Sequence, residues 1–177
     1  LNQCGVPVSN GGSLKAEARH FPLEVLFLRD DDIPQAVQDG VADAGILGEN
    51  VVLESGKKIE VVEKLGFGRC RLSLAVRREE SYNDTTWFEG KKIATTYPCI
   101  VESYLREKGV SATIEKINGS VEIAPSIGLA DGICDIVSTG STLLSNGLKE
   151  VEMILQSEAV LVKHPSLDSE KDALLRD

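Results

Sequence analysis

Aromatic side chains and positive charge are both scarce in this 177-residue sequence. Phe, Trp and Tyr make up 5% of the residues while 42% are hydrophobic, so the core must be mainly aliphatic. The formal net charge is -9, and no block of lysines and arginines is long enough to follow a nucleic-acid backbone. The sequence therefore predicts no nucleic-acid partner. Any anionic ligand must be held by local devices such as backbone amides, a few placed cations or a metal ion.

Long apolar runs and paired cysteines are missing as well. No stretch approaches the roughly 20 apolar residues of a membrane span, so no membrane partner is predicted. The four cysteines are widely spaced, form no CxxC pair and lie mostly in apolar segments, at Cys4, Cys70, Cys99 and Cys134. We interpret them as reduced core residues of a cytoplasmic protein. The two histidines, His20 and His164, are isolated from them and give a zinc site little support.

Several common catalytic motifs are also absent. The sequence has no G-x-x-x-x-G-K-[ST], and Gly66 and Gly68 in "GFGRCR" lack the third glycine of a dinucleotide-binding fingerprint. Neither a G-x-S-x-G nucleophile elbow nor a Cys/His nucleophile pair is found. These absences give no support to a P-loop nucleotide hydrolase, a dinucleotide-dependent enzyme or a serine hydrolase.

Strand and helix patterns alternate along most of the chain. Strand patterns include "PLEVLFL", "VADAGILG", "KKIATTY", "SATIEKI" and "ICDIVST". "DDDIPQAVQDG" and "PCIVESYLREKG" each carry an early Pro and a terminal Gly, which are helix start and stop signals. The alternation predicts an α/β fold with mixed, mostly parallel sheets.

Two segments repeat one order of elements. "DGVADAGILGENVVLES" and "LADGICDIVSTGSTLLSNG" each pass from a helix end through Ala-Asp and an apolar strand to a Gly-containing loop and a short helix. The repetition predicts two lobes, one formed by residues 1–80 plus 155–177 and the other by residues 81–154. Ligands usually bind in the cleft between such lobes.

The most informative stretch is "CDIVSTGSTL", in which Asp135 is followed by Ser138 to Thr142. We call these five residues, Ser138, Thr139, Gly140, Ser141 and Thr142, the hydroxyl loop. Gly140 can adopt a positive φ and let a ligand approach the backbone, while amides and hydroxyls point at one anion. Asp135 suits the hydroxyls of a sugar that carries such a phosphate. A plain turn and helix cap is an equally open interpretation of these residues alone.

The stretch from Glu122 to Leu143, "EIAPSIGLADGICDIVSTGSTL", resembles the signature of the ATP phosphoribosyltransferase family. The residues that match the signature are Glu122, Gly128, Asp135, Thr139, Gly140, Thr142 and Leu143. Other family-like segments are "RDDDIP", "DGVADAGILGENVVLE", "CRLSLA", "ATTYP" and "NGSVEIAP". The similarity extends over nearly the whole chain, which makes it highly specific.

The resemblance implies that adenine N1 of ATP displaces diphosphate from 5-phosphoribosyl-1-diphosphate (PRPP), the first step of histidine biosynthesis. It also implies a two-lobed type II periplasmic-binding-protein-like fold, Mg²⁺ as cofactor and Asp135 as the catalytic residue. The expected PRPP-binding residues are Glu122, Asp131, Asp135, Ser138, Thr139, Gly140, Ser141 and Thr142. The expected ATP-binding residues are Arg29, Asp30, Asp43, Gly45, Arg71 and Tyr97. No metal ligands are assigned.

Some features of the family are expected to lie outside this sequence. We expect the first strand, with its basic Gly-Arg-Leu segment, before Leu1, and a C-terminal regulatory domain after Asp177. Histidine feedback would act only through that domain, and a homo-oligomer, dimer or hexamer, is expected. Two other functions stay open at this stage: a two-lobed solute-binding protein without catalysis, and a phosphoribosyltransferase for another base.

Overall fold

The computed structural model describes residues 14–18 and 21–176. The strands are β1 (Lys15–Glu17), β2 (Glu24–Leu26), β3 (Ala44–Gly48), β4 (Glu60–Lys64), β5 (Cys70–Arg77), β6 (Lys92–Thr95), β7 (Thr113–Lys116), β8 (Gly132–Val137), β9 (Leu148–Ser157) and β10 (Ala159–Lys163). The helices are α1 (Ile33–Gln38), α2 (Glu49–Ser55), α3 (Pro98–Lys108), α4 (Ser141–Ser145) and α5 (Ser169–Arg176). Short 3-10 turns cover Asp30–Asp32, Thr85–Phe88 and Val121–Ile123. The predicted alternation of strands and helices is confirmed.

Helix α3 shows how local sequence sets the ends of an element. Pro98 is its first residue, where the missing N–H is not needed. Gly109 follows its last residue with φ 68°, and its N–H bonds to the carbonyls of Arg106 and Leu105. A left-handed glycine of this kind closes a helix because it satisfies carbonyls that have no helical partner.

A three-stranded sheet, which we call the small sheet, has the order β3-β10-β4 and is antiparallel throughout. Helices α1 and α2 supply the rest of its core. The buried residues of this core are Val37, Leu47, Val51, Val160 and Val162. A separate two-stranded hairpin is formed by β1 and β2.

A five-stranded sheet, which we call the large sheet, has the order β7-β6-β8-β5-β9. Strand β6 pairs in parallel with β7 and β8, whereas β5 runs antiparallel to both β8 and β9. Two apolar clusters pack against it. One contains Leu72, Leu74, Val76, Phe88, Ile93, Val101, Leu105, Val110 and Cys134, and the other contains Ala75, Ala94, Val121, Ala124, Ala130, Ile133, Val137, Leu143 and Leu148.

The mixed α/β fold is as predicted, but the prediction of mostly parallel sheets is wrong. Parallel pairing in the described part of the chain is limited to β6 with its two neighbours. The antiparallel pairing has a physical reason, because some strands are connected without a helix between them. Strand β4 is followed by β5 with no helix, and β9 is followed by β10 after the single residue Glu158. Strands joined in this way need no crossover helix and can enter a sheet antiparallel.

These two connections also carry the chain between the sheets. Strand β4 lies in the small sheet and β5 in the large one, while β9 lies in the large sheet and β10 in the small one. The sheets therefore divide the chain after β4 and after β9, whereas the sequence placed the lobe boundaries at residues 80 and 155. The assignment of two lobes as domains stays a prediction.

The cysteines only partly match their predicted place in the core. Cys134 is fully buried, Cys70 is half-buried and Cys99 is exposed at the start of α3, and all three are free thiols. The core prediction is wrong for Cys99, because it follows Pro98 on the outward side of the first turn. Cys4 and His20 lie outside the described residues. No helix within residues 14–18 and 21–176 is long and apolar enough to cross a membrane.

Candidate active site

The hydroxyl loop joins the end of β8 to the start of α4. Gly140 precedes the helix with φ 82°, in the left-handed region. A Cβ built there would have only Val137 Cγ1 within 4 Å, at 3.9 Å. The backbone conformation, rather than crowding, therefore requires glycine at this position.

The side chains of the loop make little contact with the start of α4. Gly140 is the N-cap residue and carries no side chain that could cap the helix. Thr139 Oγ1 lies 3.0 Å from Ser141 Oγ and accepts a long hydrogen bond, 3.4 Å, from the Ser141 amide. Within the described residues, this long bond from Ser141 to Thr139 is the one side-chain contact to the first amides of α4.

A cavity of about 190 Å³ opens beside this loop. It is lined by Glu122, Asp135, Ile136, Val137, Ser138, Thr139, Gly140, Thr142 and Leu143. Within the described residues, no hydrogen bond engages the hydroxyls of Ser138 and Thr142. The cavity thus offers hydroxyl donors next to a backbone that carries no Cβ at Gly140, which suits a tetrahedral anion.

Asp135 gives the cavity its acidic side. Its side chain is half-buried, and Oδ1 accepts a hydrogen bond of 2.8 Å from the Ile136 amide. Burial raises the pKa of the Asp135 carboxyl above its usual range; the amide of Ile136 opposes the shift and the charge of Glu122 adds to it. A partly desolvated carboxylate of this kind binds hydroxyl donors strongly because they replace lost water.

Tyr97, which precedes α3 on the large sheet, contacts helix α2 on the small sheet. Its hydroxyl accepts a hydrogen bond of 3.2 Å from Asn50 Nδ2 on α2. Burial raises the pKa of Tyr97 to about 12, and the negative charges of Asp135 and Asp30 contribute to the same shift. The charges of Asp30 and Asp135 therefore both act on Tyr97, although the three residues come from separate segments.

Helix α2 makes a second contact with α3. The carboxylate of Glu54 accepts hydrogen bonds from the amides of Cys99, at 3.1 Å, and Ile100, at 3.0 Å. These amides belong to the first turn of α3, whose N–H groups have no partner within the helix. Glu54 thus joins a helix of the small sheet to a helix of the large sheet.

The Glu54 contact predicts a measurable change in shape. Glu54→Gln keeps the size of the side chain but loses the charge, which we expect to weaken the α2–α3 contact by about 1 kcal/mol. The radius of gyration of the ligand-free intact protein should then increase in solution scattering. Glu102→Gln is the matched control, because Glu102 lies on α3 and pairs with Arg106 at 3.4 Å on the exposed surface. An unchanged radius in Glu54→Gln would show that this contact does not hold the sheets together.

Arg71, predicted to contact ATP, donates three hydrogen bonds within the protein. Its Nε and Nη2 atoms donate to Glu150 at 2.6 and 2.7 Å, and Nη1 donates to the carbonyl oxygen of Ser138 at 3.0 Å. Arg71 lines a second cavity, of about 470 Å³, that shares Val137 and Ser138 with the first. Arg71 therefore contacts the hydroxyl loop at the backbone of Ser138.

Other predicted residues are not brought to the loop. Asp131 lies before the first residue of β8, at the opposite end of that strand, where its carboxylate accepts a hydrogen bond from the Lys92 amide at 2.9 Å. Asp43 forms an ion pair with Lys171 at 2.8 Å. A Cβ on Gly45 would lie 2.6 Å from Ile33 Cγ2, so this glycine allows α1 to pack on β3. The exposed Arg29 precedes the 3-10 turn that holds Asp30.

Sequence reasoning missed three polar residues that organise this region: Asn50, Glu54 and Glu150. Asn50 is buried, and its amide and side chain both bond to Ser157 Oγ, at 3.1 and 2.8 Å. The buried position of Asn50 is visible in the sequence only as a polar residue in the apolar run "GENVVLE". Glu54 and Glu150 leave no local signal, because their partners are far away along the chain.

The fold is similar to that of solved substrate-binding proteins. A substrate binding protein of an amino acid ABC transporter superposes with a TM-score of 0.61 at 16% identity, over 97% of this chain and 84% of that chain. Tv2483 bound to L-arginine superposes with a TM-score of 0.63 at 13% identity, over 85% and 65%. At these identities the likeness shows the fold alone.

The family follows from closer relatives. The HisG family model, described as ATP phosphoribosyltransferase, matches residues 29–177. ATP phosphoribosyltransferases of Cytophaga hutchinsonii and Parabacteroides distasonis are 56% and 54% identical to this chain over 176 residues. A chain of the ATP phosphoribosyl transferase (HisG:HisZ) complex from Thermotoga maritima superposes with a TM-score of 0.82 at 29% identity, over 99% of this chain and 85% of that chain. The chain belongs to the ATP phosphoribosyltransferase family, as its sequence predicted.

The match covers this chain more fully than it covers the relatives. Each of the two bacterial enzymes is matched over 99% of this chain but only 62% of its own length. The activity, substrates and partners of the whole protein are therefore proposed below from the site.

Proposed function

We propose that this chain transfers the 5-phosphoribosyl group of PRPP to N1 of ATP and releases diphosphate, the first step of histidine biosynthesis. The observation that carries the proposal is the pairing of a left-handed Gly140 with the half-buried Asp135 around one cavity, in a chain of this family. A phosphate cradle and a ribose-binding carboxylate are then adjacent, as a ribose 5-phosphate requires.

In this proposal the hydroxyl loop binds the 5-phosphate of PRPP. The Ser138 and Thr142 hydroxyls line the cavity, and Gly140 lets the phosphate oxygens approach the backbone amides. Charge-assisted hydrogen bonds of this kind are short and strong compared with neutral ones. The loop therefore fixes the end of the ribose that does not react.

Asp135 is proposed to bind the ribose hydroxyls and to favour positive charge on the ring. Its partial burial leaves the carboxylate short of water, so substrate hydroxyls are favourable partners. As diphosphate leaves, positive charge develops near the anomeric carbon, and a nearby carboxylate stabilises that charge more than it stabilises the ground state.

The reaction needs no strong general base, because adenine N1 already carries a free lone pair. The protein mainly has to place N1 in line with the leaving diphosphate and exclude competing water. Among the predicted ATP-binding residues, Asp30 and Tyr97 are linked to Asp135, because the charges of Asp30 and Asp135 both raise the pKa of Tyr97. We propose that these two face the nucleotide.

Members of the family use a metal ion, and we propose Mg²⁺. In the part of the chain that the structure describes, no three His, Cys, Asp or Glu side chains are grouped so that they could hold a metal. Mg²⁺ typically binds one or two carboxylates together with substrate phosphates, and Glu122 and Asp135 in the cavity wall fit that donor set. When bound, Mg²⁺ neutralises the departing diphosphate.

We also propose that the protein works as an oligomer, dimer or hexamer, in the cytoplasm. The Thermotoga maritima neighbour was solved as a HisG:HisZ complex, which supports an assembly in this family. The three free cysteines of the described region support a reducing compartment.

The test is to incubate the intact protein with PRPP, Mg²⁺ and a panel of bases and nucleotides, and to measure diphosphate release. Release with ATP alone, together with formation of N1-(5-phosphoribosyl)-ATP, is the expected result. Release with another base would identify a different phosphoribosyltransferase. Tight ligand binding without any release would identify a solute-binding protein of the same fold.

A further inference from the structure

The hydroxyl loop is attached to the large sheet through its first residue. Strand β8 ends at Val137, which is paired in register with Arg71 on β5. Ser138 is the first residue beyond this pairing, and its carbonyl oxygen accepts the hydrogen bond from Arg71 Nη1 at 3.0 Å. The Arg71 side chain therefore holds the backbone one residue beyond the paired strand, where the loop begins.

The orientation of Arg71 is itself fixed by Glu150 on β9. Two parallel hydrogen bonds, 2.6 and 2.7 Å, join the guanidinium to the two carboxylate oxygens. Oε1 of Glu150 also accepts a hydrogen bond of 2.8 Å from the hydroxyl of Ser73, which is 1% exposed. A two-point contact fixes the plane of a guanidinium, and in this orientation Nη1 reaches the Ser138 carbonyl.

This arrangement also bears on what Arg71 can bind. Its charge is offset by Glu150, with only 32% and 28% of the two side chains exposed, and three of its five N–H donors are used within the protein. A guanidinium in this state is a poor direct ligand for a triphosphate. It is well placed to hold a loop at a set distance from β5.

We infer that Arg71, held by Glu150, is a positioning residue that sets the hydroxyl loop for the 5-phosphate of PRPP, and is not a contact for ATP. The inference rests on the proposed function for the identity of the phosphate. We call the series of contacts from Glu150 on β9 through Arg71 to Ser138 the tether. It holds the loop whether or not PRPP is the ligand.

Two conservative variants test the tether in the intact protein, with any sequence that naturally precedes Leu1 or follows Asp177. Glu150→Gln keeps the size and one acceptor for Ser73 but loses the charge that holds Arg71. Arg71→Lys keeps a cation, but one ammonium lacks the fork that joins Glu150 and Ser138 together. We expect each to raise the KM for PRPP about tenfold, because a displaced loop loses contacts with the 5-phosphate. The KM for ATP should stay within about twofold, since the loop does not touch the nucleotide.

A double variant sharpens the result. If Arg71 acts on the loop only while Glu150 holds it, the two changes act through one path. The double variant should then raise the KM for PRPP little more than either single change, a non-additive outcome. Glu158→Gln is the matched control: it breaks the ion pair with Arg69, 3.2 Å, on the rim of the same larger cavity, and it makes no bond to the loop.

Hydrogen–deuterium exchange at the amides of residues 138–143, measured without ligand, provides a readout that does not depend on activity. Faster exchange in Glu150→Gln and Arg71→Lys, but not in Glu158→Gln, is expected. Faster exchange in a protein that does not turn over PRPP would support the tether and refute the proposed function separately. Unchanged exchange with a raised KM for ATP would overturn the inference and make Arg71 an ATP contact. A lower melting temperature with unchanged exchange and unchanged KM values would show that the Arg71–Glu150 pair only stabilises the fold. That result would also overturn the inference.

Discussion

A Gly140→Val variant is expected to lose measurable PRPP binding. Gly140 has φ 82°, and a left-handed conformation costs an L-residue about 1–2 kcal/mol, more for a β-branched side chain. If the loop keeps its shape, the valine methyls occupy the surface that the phosphate must approach. If the loop relaxes to a negative φ, the amides and hydroxyls no longer converge. Both routes remove the cradle, and isothermal titration with PRPP and Mg²⁺ measures the loss.

Gly109→Val separates the loss of binding from simple strain. Gly109 has φ 68°, with nothing within 4 Å of a built Cβ, and it closes α3 away from the cavity. The two variants should lose similar stability in thermal unfolding, while only Gly140→Val loses PRPP affinity. Thr142→Ala supplies a graded change: deleting one hydroxyl donor to a phosphate should weaken PRPP binding about tenfold. Lost stability with intact affinity in both Gly140→Val and Thr142→Ala would refute the phosphate cradle.

Sequence reasoning reached the parts of this molecule that are encoded locally. The ends of α3 followed from Pro98 and Gly109, and the hydroxyl loop followed from five consecutive residues after a strand. In both cases the deciding interactions join residues a few positions apart. Such patterns are visible in one sequence because local backbone preference and local hydrogen bonding decide them.

What the sequence did not show depends on strand order. Glu150 and Arg71 meet only because β9 pairs with β5, and nothing in the local pattern of either segment indicates that pairing. The same cause explains the overestimate of parallel pairing, since β5, β9 and β10 lack the helices that would have marked their direction. Asp131 illustrates the reverse case: it lies near Asp135 in sequence, yet four residues of extended chain put their Cα atoms roughly 13 Å apart.

Replacing Asp135 with asparagine is expected to slow turnover about thirtyfold, which corresponds to roughly 2 kcal/mol for one charge-assisted interaction. Asn keeps the size and one acceptor oxygen for the ribose hydroxyls, so the affinity for PRPP should change much less. The charge matters most when the ribose becomes cationic, and for that reason the effect should appear in kcat rather than in KM. A variant with unchanged kcat and a thirtyfold weaker affinity would show that Asp135 only binds the ground state.

The pH dependence and the stability of this variant complete the test. Burial raises the pKa of Asp135, so turnover of the unaltered protein should fall on acidification at a pH above the ordinary aspartate value of about 3.9. The Asn variant should lack that acidic limb.

Because the pKa of Asp135 is higher in the folded than in the unfolded chain, ionisation of Asp135 opposes folding at every pH above its ordinary value, and this cost is absent in acid. Uncharged Asn removes the cost, so the melting temperature at pH 7 should stay equal or rise while turnover falls. A variant that loses stability together with turnover would show that Asp135 stabilises the fold. Slower turnover in an equally stable protein is the result expected if the carboxylate stabilises the ribosyl cation.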